Sequence, residues 1–335
     1  MGSLVRLARR ASAIAAVLAL IAVTPIAANE LGASSPSAGF TLHDADETLR
    51  DYCALDDQGR LWLTLPGGTR WELVTSTADP AVANPGDGAF HPFDPAEVRA
   101  ALDEIRCPLD GVDAEIFLLP VPRRAGLESA AGPGLILLSP GVAAIAREHQ
   151  HAQLAHELGH VYQYRHLPDG DANGWQRYRA LMGITDESQY GATSVHANRP
   201  HEIFAEDFRA LFGGALANYS GTIENGELVP PALVPGLDRF LIGLSEREFI
   251  AALSAWPSPS SGPVRFSIPR ETDAPLDLFD ASGRRIATLE GRRSAAGSLW
   301  SWSGASDDGR LVHSGVVFAR VRETHGETLR LVVAR

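Results

Sequence analysis

The stretch Leu154–His166, LAHELGHVYQYRH, sets two histidines and a glutamate in the pattern H-E-x-x-H. On an α-helix, residues four apart lie about 40° apart around the axis and about 6 Å along it. His156 and His160 therefore project from one face at a spacing that suits a single divalent ion. Glu157 falls beside that ion without having to bind it, where a carboxylate can accept a proton and return it. The helix has support of its own. Leu154, Leu158 and Val161 recur at i, i+4 and i+7, an apolar stripe turned away from the histidines. One face packs on a sheet while the other holds a metal over a cleft. Gly159 in mid-helix costs roughly 1 kcal/mol against Ala, which points to close approach by another element.

Two histidines do not complete a catalytic zinc site, which takes three protein ligands and keeps a position for water. His166 stands six residues past His160, as in the longer pattern H-E-x-x-H-x-x-G-x-x-H, but this chain has Gln163 where that pattern has its glycine. If the helix runs on through Gln163, His166 turns about 240° away from His160. The stronger candidate is Glu202 in Pro200–Phe212, PHEIFAEDFRALF, which reads as a second helix with Asn198 as a cap and Pro200 in the first turn. Ile203, Phe204, Phe208, Leu211 and Phe212 give it a broad apolar face, and Glu202 and Glu206 share another. Glu202 can approach the ion from the side to make a His-His-Glu set. Glu206, one turn on, can accept the Nδ1–H of a ligand histidine and fix its tautomer.

His156–His160 followed by HEIFAEDFRALF resembles the catalytic domain of the anthrax lethal factor family, zinc endopeptidases of the gluzincin type. The resemblance covers roughly Leu135–Phe212. It implies Glu202 as third ligand, Glu206 behind a ligand histidine and Glu157 as general base. The family also places a Tyr hydroxyl a few residues before the third ligand, to stabilise the tetrahedral intermediate. Here Tyr190 lies further upstream than that pattern, and His196 sits nearer the right place. Both are candidates for the oxyanion.

Net charge is −12 and all 29 basic residues are Arg, so electrostatics speak against a nucleic-acid partner. Residues 1–28 read as a secretory signal: Arg6, Arg9 and Arg10 precede the apolar Ala11–Val23, and Ala27 and Ala28 close the segment. An uncleaved anchor is the alternative. Cys53 and Cys107 suit one disulfide in an exported chain, or two buried thiols.

Asn29–Ala38 reads as a flexible lead or short pro-segment, extending to residue 45. Arg60–Leu65 and Thr69–Val74 alternate around Pro66-Gly67-Gly68, a hairpin signal. Pro95–Ile105 and Trp175–Met182 read as helices, Glu115–Leu119 and Leu135–Leu138 as strands. Leu135–Leu138 leads shortly into the motif helix and is a candidate edge for pairing with an extended peptide. Trp256–Pro263, WPSPSSGP, has the composition of a linker. Beyond it come short strands at Val264–Ile268, Pro275–Phe279, Arg285–Leu289, Leu299–Ser303, Val316–Arg322 and Leu329–Val333, the pattern of a small β-sandwich. The run LDLFDASGRRIATL…WSWSGASDDGRLVHSGVVFARV resembles the immunoglobulin-like module of flagellar hook-capping proteins and of type IX secretion cargo. That implies a sorting, anchoring or spacing role toward secretion machinery or the cell envelope.

The expectation is an α+β chain: a zincin-like metallopeptidase domain over 46–255, a linker over 256–263 and an immunoglobulin-like sandwich over 264–335. Its expected activity is zinc-dependent hydrolysis of protein or peptide substrates outside the cytoplasm, secreted or at the cell envelope. The rival from another class is a non-catalytic envelope or adhesion protein with a structural or degenerate zinc site.

Overall fold

The computed structural model describes residues 39–245, 253–294, 297–322 and 328–335. The signal read in residues 1–28 and most of the lead lie outside them. In chain order the first part comprises β1 (Phe40–His43), the short α1 (Ala45–Glu47), β2 (Cys53–Leu55), β3 (Leu61–Thr64), β4 (Arg70–Glu72), α2 (Pro95–Glu104), β5 (Ala114–Leu118), β6 (Ala130–Gly132), β7 (Leu135–Leu138), α3 (Arg147–His166), α4 (Ala172–Met182), α5 (Pro200–Phe212), α6 (Gly214–Ala217) and α7 (Leu237–Ser245). The second comprises β8 (Ser254–Trp256), β9 (Val264–Ile268), β10 (Leu276–Phe279), β11 (Arg285–Leu289), β12 (Arg292–Ser294), β13 (Gly297–Trp302), β14 (Gly315–Val321) and β15 (Leu329–Val333). The architecture is α+β, with helices packed among several small sheets. Among the described residues no helix is long and apolar enough to cross a membrane.

The sheet beside the motif helix runs β1-β5-β7-β6, with β1, β5 and β7 parallel and β6 antiparallel. Phe40–His43 falls within the stretch read as a lead, yet it pairs with β5 from Phe40↔Ala114 to His43↔Phe117. Leu135–Leu138 is not the sheet edge. All four of its residues are buried, because β6 folds back on β7 and takes the edge itself. An unbroken apolar run suits a strand covered on both faces. The hairpin of β3 and β4 forms as expected: Gly68 takes a left-handed φ of 78° and its N–H reaches the Leu65 carbonyl at 2.8 Å. Asp94 caps α2 by accepting from the Ala96 N–H at 2.8 Å.

The motif helix α3 runs unbroken from Arg147 to His166, and Leu154, Leu158 and Val161 are buried in the core. Its partner is α5, and Gly159 is where the two helices meet. A Cβ added there would stand 2.8 Å from Ala205 Cα and 3.0 Å from Ala205 O. Those are backbone atoms and cannot swing aside. Gly159→Ala is therefore expected to lower unfolding stability by about 1–3 kcal/mol in denaturant titration, although helix propensity alone favours Ala by roughly 1 kcal/mol. A stabilised variant would mean the helices are not held this close. Asn198 does not cap α5. Its side-chain oxygen accepts from Asn225 at 2.8 Å instead, and the capping position is Arg199 with no side-chain cap bond.

The tail forms two four-stranded antiparallel sheets, β11-β10-β14-β15 and β12-β13-β9-β8. They share a core that includes Val264, Phe266, Leu276, Leu278, Trp300 and Leu331. Trp256–Pro263 has a linker's composition but is held at Trp256 and at Ser260. Trp256 closes β8, and Ser260 donates its N–H to Val332 O at 2.8 Å and accepts from Ala334 at 2.8 Å. The Trp256 ring leaves the tail and packs with Leu63, Trp71, Phe117 and Leu137 of the first part. Thr69 Oγ1 meets Ser301 Oγ at 3.2 Å, and Ser301 also donates to the Gly67 carbonyl. Cys53 and Cys107 are free thiols; burial pushes them up to about 11 and about 12.

Candidate metal centre

The two helices bring together the three side chains the sequence singled out. His156, His160 and Glu202 each offer a ligand atom, all within 4.8 Å of one another. His160 Nε2 lies 3.1 Å from Glu202 Oε2, and His156 Nε2 lies 3.4 Å from the same oxygen. Four-residue spacing on α3 aligns the imidazoles, whose rings meet edge to face at 4.9 Å. Pro200 opens α5 at a position where no backbone N–H is needed, which sets Glu202 in the first turn, where the helix dipole favours a negative charge.

A second layer holds the ligands. Glu206 Oε1 accepts from His156 Nδ1 at 2.9 Å, leaving Nε2 to the cluster, as expected. Glu206 is itself gripped by Arg209, whose Nε and Nη2 each donate to one carboxylate oxygen at 2.8 Å. The same guanidinium reaches Ala217 O at 2.7 Å and Thr222 O at 2.8 Å, which ties down the following loop. That loop returns Glu224, whose backbone N–H donates to Glu206 Oε2 at 2.9 Å and whose carboxylate meets His196 Nδ1 at 3.1 Å.

The electrostatics suit a cation. Burial works against a charged His156, yet the hydrogen bonds it donates to Glu202 and Glu206 outweigh this and hold the imidazole up at about 10. Burial also works against charge on Glu202 and Glu206. Their hydrogen-bonded partners reverse this and hold both well below the usual carboxylate range. One half-buried carboxylate, Glu202, and one buried carboxylate, Glu206, beside the two imidazoles stabilise a positive charge among them, and a divalent ion meets that demand by displacing protons.

Glu157 is buried beside the cluster, and Gln153 donates to its Oε1 at 2.7 Å. His196 Nε2 stands 3.5 Å from Glu202 Oε1, on a half-exposed ring. All of these line one cleft of about 1020 Å³. Tyr190 does not line it. Its ring is buried in the main core and its hydroxyl is turned to Gln189, 3.3 Å away. His166 is also excluded as a ligand. The helix does not break at Gln163, so the ring turns away to pack on Tyr162 at 4.6 Å, where burial and Arg165 push it down to about 4.

Several supporting residues escaped the sequence. Arg209 has a local signal, being three residues past Glu206 on the same helix. Glu224 has none, because only the fold of the loop after α6 brings it back. Tyr164 lines the cleft one turn past His160 and was readable from its helical spacing.

Next to the site, Asp207 is buried and accepts from the Tyr178 hydroxyl at 2.6 Å. Burial pushes it up to about 7 from the usual 3.8, against the opposing Tyr178 hydrogen bond. Between these values the folded chain holds a proton that the unfolded chain has released, so this group's contribution to stability falls as pH rises from about 4 to about 7. Asp207→Asn removes that loss. The stability difference between variant and parent is expected to grow in the variant's favour by a few kcal/mol across this window, at about 1.4 kcal/mol per tenfold change in proton affinity. Denaturant titrations at several pH values that run parallel would contradict it.

No family model matches the chain, and neither does any curated protein. Among solved structures, the crystal structure of dimeric latent PorU from Porphyromonas gingivalis is similar over 25% of this chain and 10% of that chain, at 17% identity and a TM-score of 0.21.

Proposed function

We propose that this chain is an exported zinc-dependent endopeptidase of the zincin type with an immunoglobulin-like sandwich at its C-terminal end. One observation carries the proposal: His156, His160 and Glu202 converge within 4.8 Å while Glu157 stands beside them, in the same open cleft, as a carboxylate free of the ligand set. Two imidazoles and one carboxylate form the donor set of a catalytic zinc that retains a position for water. When bound there, zinc supplies Lewis acidity, polarising a peptide carbonyl and acidifying water.

The rest of the chemistry belongs to the chain. Glu157 takes the proton from the attacking water and delivers it to the leaving amine nitrogen. The Gln153 amide fixes the Glu157 carboxylate without neutralising it. Glu206 keeps His156 in the tautomer that presents Nε2. His196, oriented through Nδ1 by Glu224, presents Nε2 toward the oxygen that gains charge in the tetrahedral intermediate. The edge strand β6, which supplies Ala130 and Ala131 to the cleft, pairs with an extended substrate backbone.

The test is a digest of a mixed peptide library by the full chain with added zinc, with and without a chelator. Internal cleavage that the chelator stops and zinc restores supports the proposal. A chain that binds zinc and cleaves nothing is instead a non-catalytic metal protein.

A further inference from the structure

The cleft that holds the metal centre is not built by the first part of the chain alone. Its lining includes Glu128–Ala131 beside the centre, and also Trp256–Pro259, Arg330 and Val332 from the tail. The pleat explains which tail residues face it. On β15, Leu331 and Val333 turn into the tail's own core, so Arg330 and Val332 turn the other way, outward. The lip is held rigidly in place. Trp256 packs edge to face on Trp71 at 5.9 Å, and a Cβ added to Gly132 of β6 would meet the Trp256 ring at 2.8 Å. Arg123 lies 6.0 Å over the Trp256 ring and donates to Glu128 O at 3.1 Å, so the segment leading into β6 and the tail's Trp256 are braced by one side chain. Ser260, bonded to the β15 backbone, fixes the Pro257–Pro259 segment along the strand beside Arg330.

The charges across this cleft differ by side. Around the centre the cations are committed: Arg209 to Glu206, Arg199 to Ser194 O at 3.1 Å, and Arg179 to Tyr190 O at 2.9 Å. Arg330, exposed on the tail side, is the cation that the tail contributes to the lining. We propose that the tail forms the far wall of the substrate cleft and that Arg330 selects a peptide with an acidic side chain at the position meeting this wall. The proposal rests on the peptidase function for its substrate class. Trp256, the prolines and Val332 supply an apolar shelf for the neighbouring residues of that peptide, and Arg330 supplies a cation in a partly walled space, where a charge pair gains more than on open surface. The tail is thus part of the recognition surface, in addition to any sorting or spacing role.

The test uses the full chain carrying Glu157→Gln, loaded with zinc, so that peptides bind without being cut. Short labelled Ala/Gly peptides carry a single Asp, Ala or Arg walked along their length, and affinity is read by fluorescence anisotropy. At one register position Asp is expected to bind about tenfold tighter than Ala, as for one partly shielded ion pair. Adding Arg330→Gln levels that preference, and adding Arg330→Glu turns it toward Arg. Position profiles that are the same with Arg, Gln and Glu at residue 330 overturn the proposal. Because the readout is binding, a parent chain that binds these peptides and cleaves none counts against the hydrolytic role alone.

Discussion

Glu157→Gln is expected to slow peptide cleavage by about 10³-fold while the chain still binds zinc. The substitution keeps the size of the side chain and an oxygen to accept from Gln153, which now lies 2.7 Å from Glu157 Oε1. It removes only the ability to take up and return a proton, a contribution of about 10²–10⁴-fold in rate. The three candidate ligands are His156, His160 and Glu202, and Glu157 is not among them. Turnover and zinc content therefore separate: the first collapses and the second holds. Turnover within about tenfold of the parent would remove Glu157 as the base, and lost zinc would make it a ligand.

Glu202→Ala is the second large effect, and it acts on the ion. The variant is expected to bind zinc at least about 10²-fold more weakly, since loss of a supporting partner alone costs about 10–100-fold. Two imidazoles then face each other with one carboxylate fewer to favour a cation. His166→Ala is the control, because its ring packs on Tyr162 away from the cleft and should leave zinc affinity unchanged. Competition titration with a chromophoric chelator reads both variants. The opposite outcome, with His166 needed and Glu202 dispensable, would require α3 to break at Gln163, which is buried inside an unbroken helix.

The cluster of His156, His160 and Glu202 was legible because its geometry is periodic. His156 and His160 share a helix face by spacing alone, and Glu202 and Glu206 share another by the same rule. Two amphipathic helices with complementary apolar faces had to pack together, and Gly159 marked where. The hairpin, α2 and most tail strands were legible from turn residues and alternation. What the sequence hid depends on chain returns that no local pattern records. Glu224 reaches His196 at the end of a loop whose Ala217 and Thr222 carbonyls Arg209 holds. Tyr190 matched an expected residue type, but its ring belongs to the core. Edge and centre of a sheet look alike in an apolar run, so Leu135–Leu138 read as an edge until β6 took that place. Trp256–Pro263 had the proline and serine content of a free linker, yet Trp256 fills a core shared by both parts of the chain, and that decides its fate more than composition does.

Anomalous diffraction at the zinc edge, from crystals of the full chain grown with zinc, tests whether one ion is shared by both helices. The expected result is a peak about 2.0–2.2 Å from His156 Nε2, His160 Nε2 and a Glu202 oxygen, with Glu157 outside bonding distance. A zinc peak elsewhere, or one bound by the two histidines with Glu202 turned away, would contradict it.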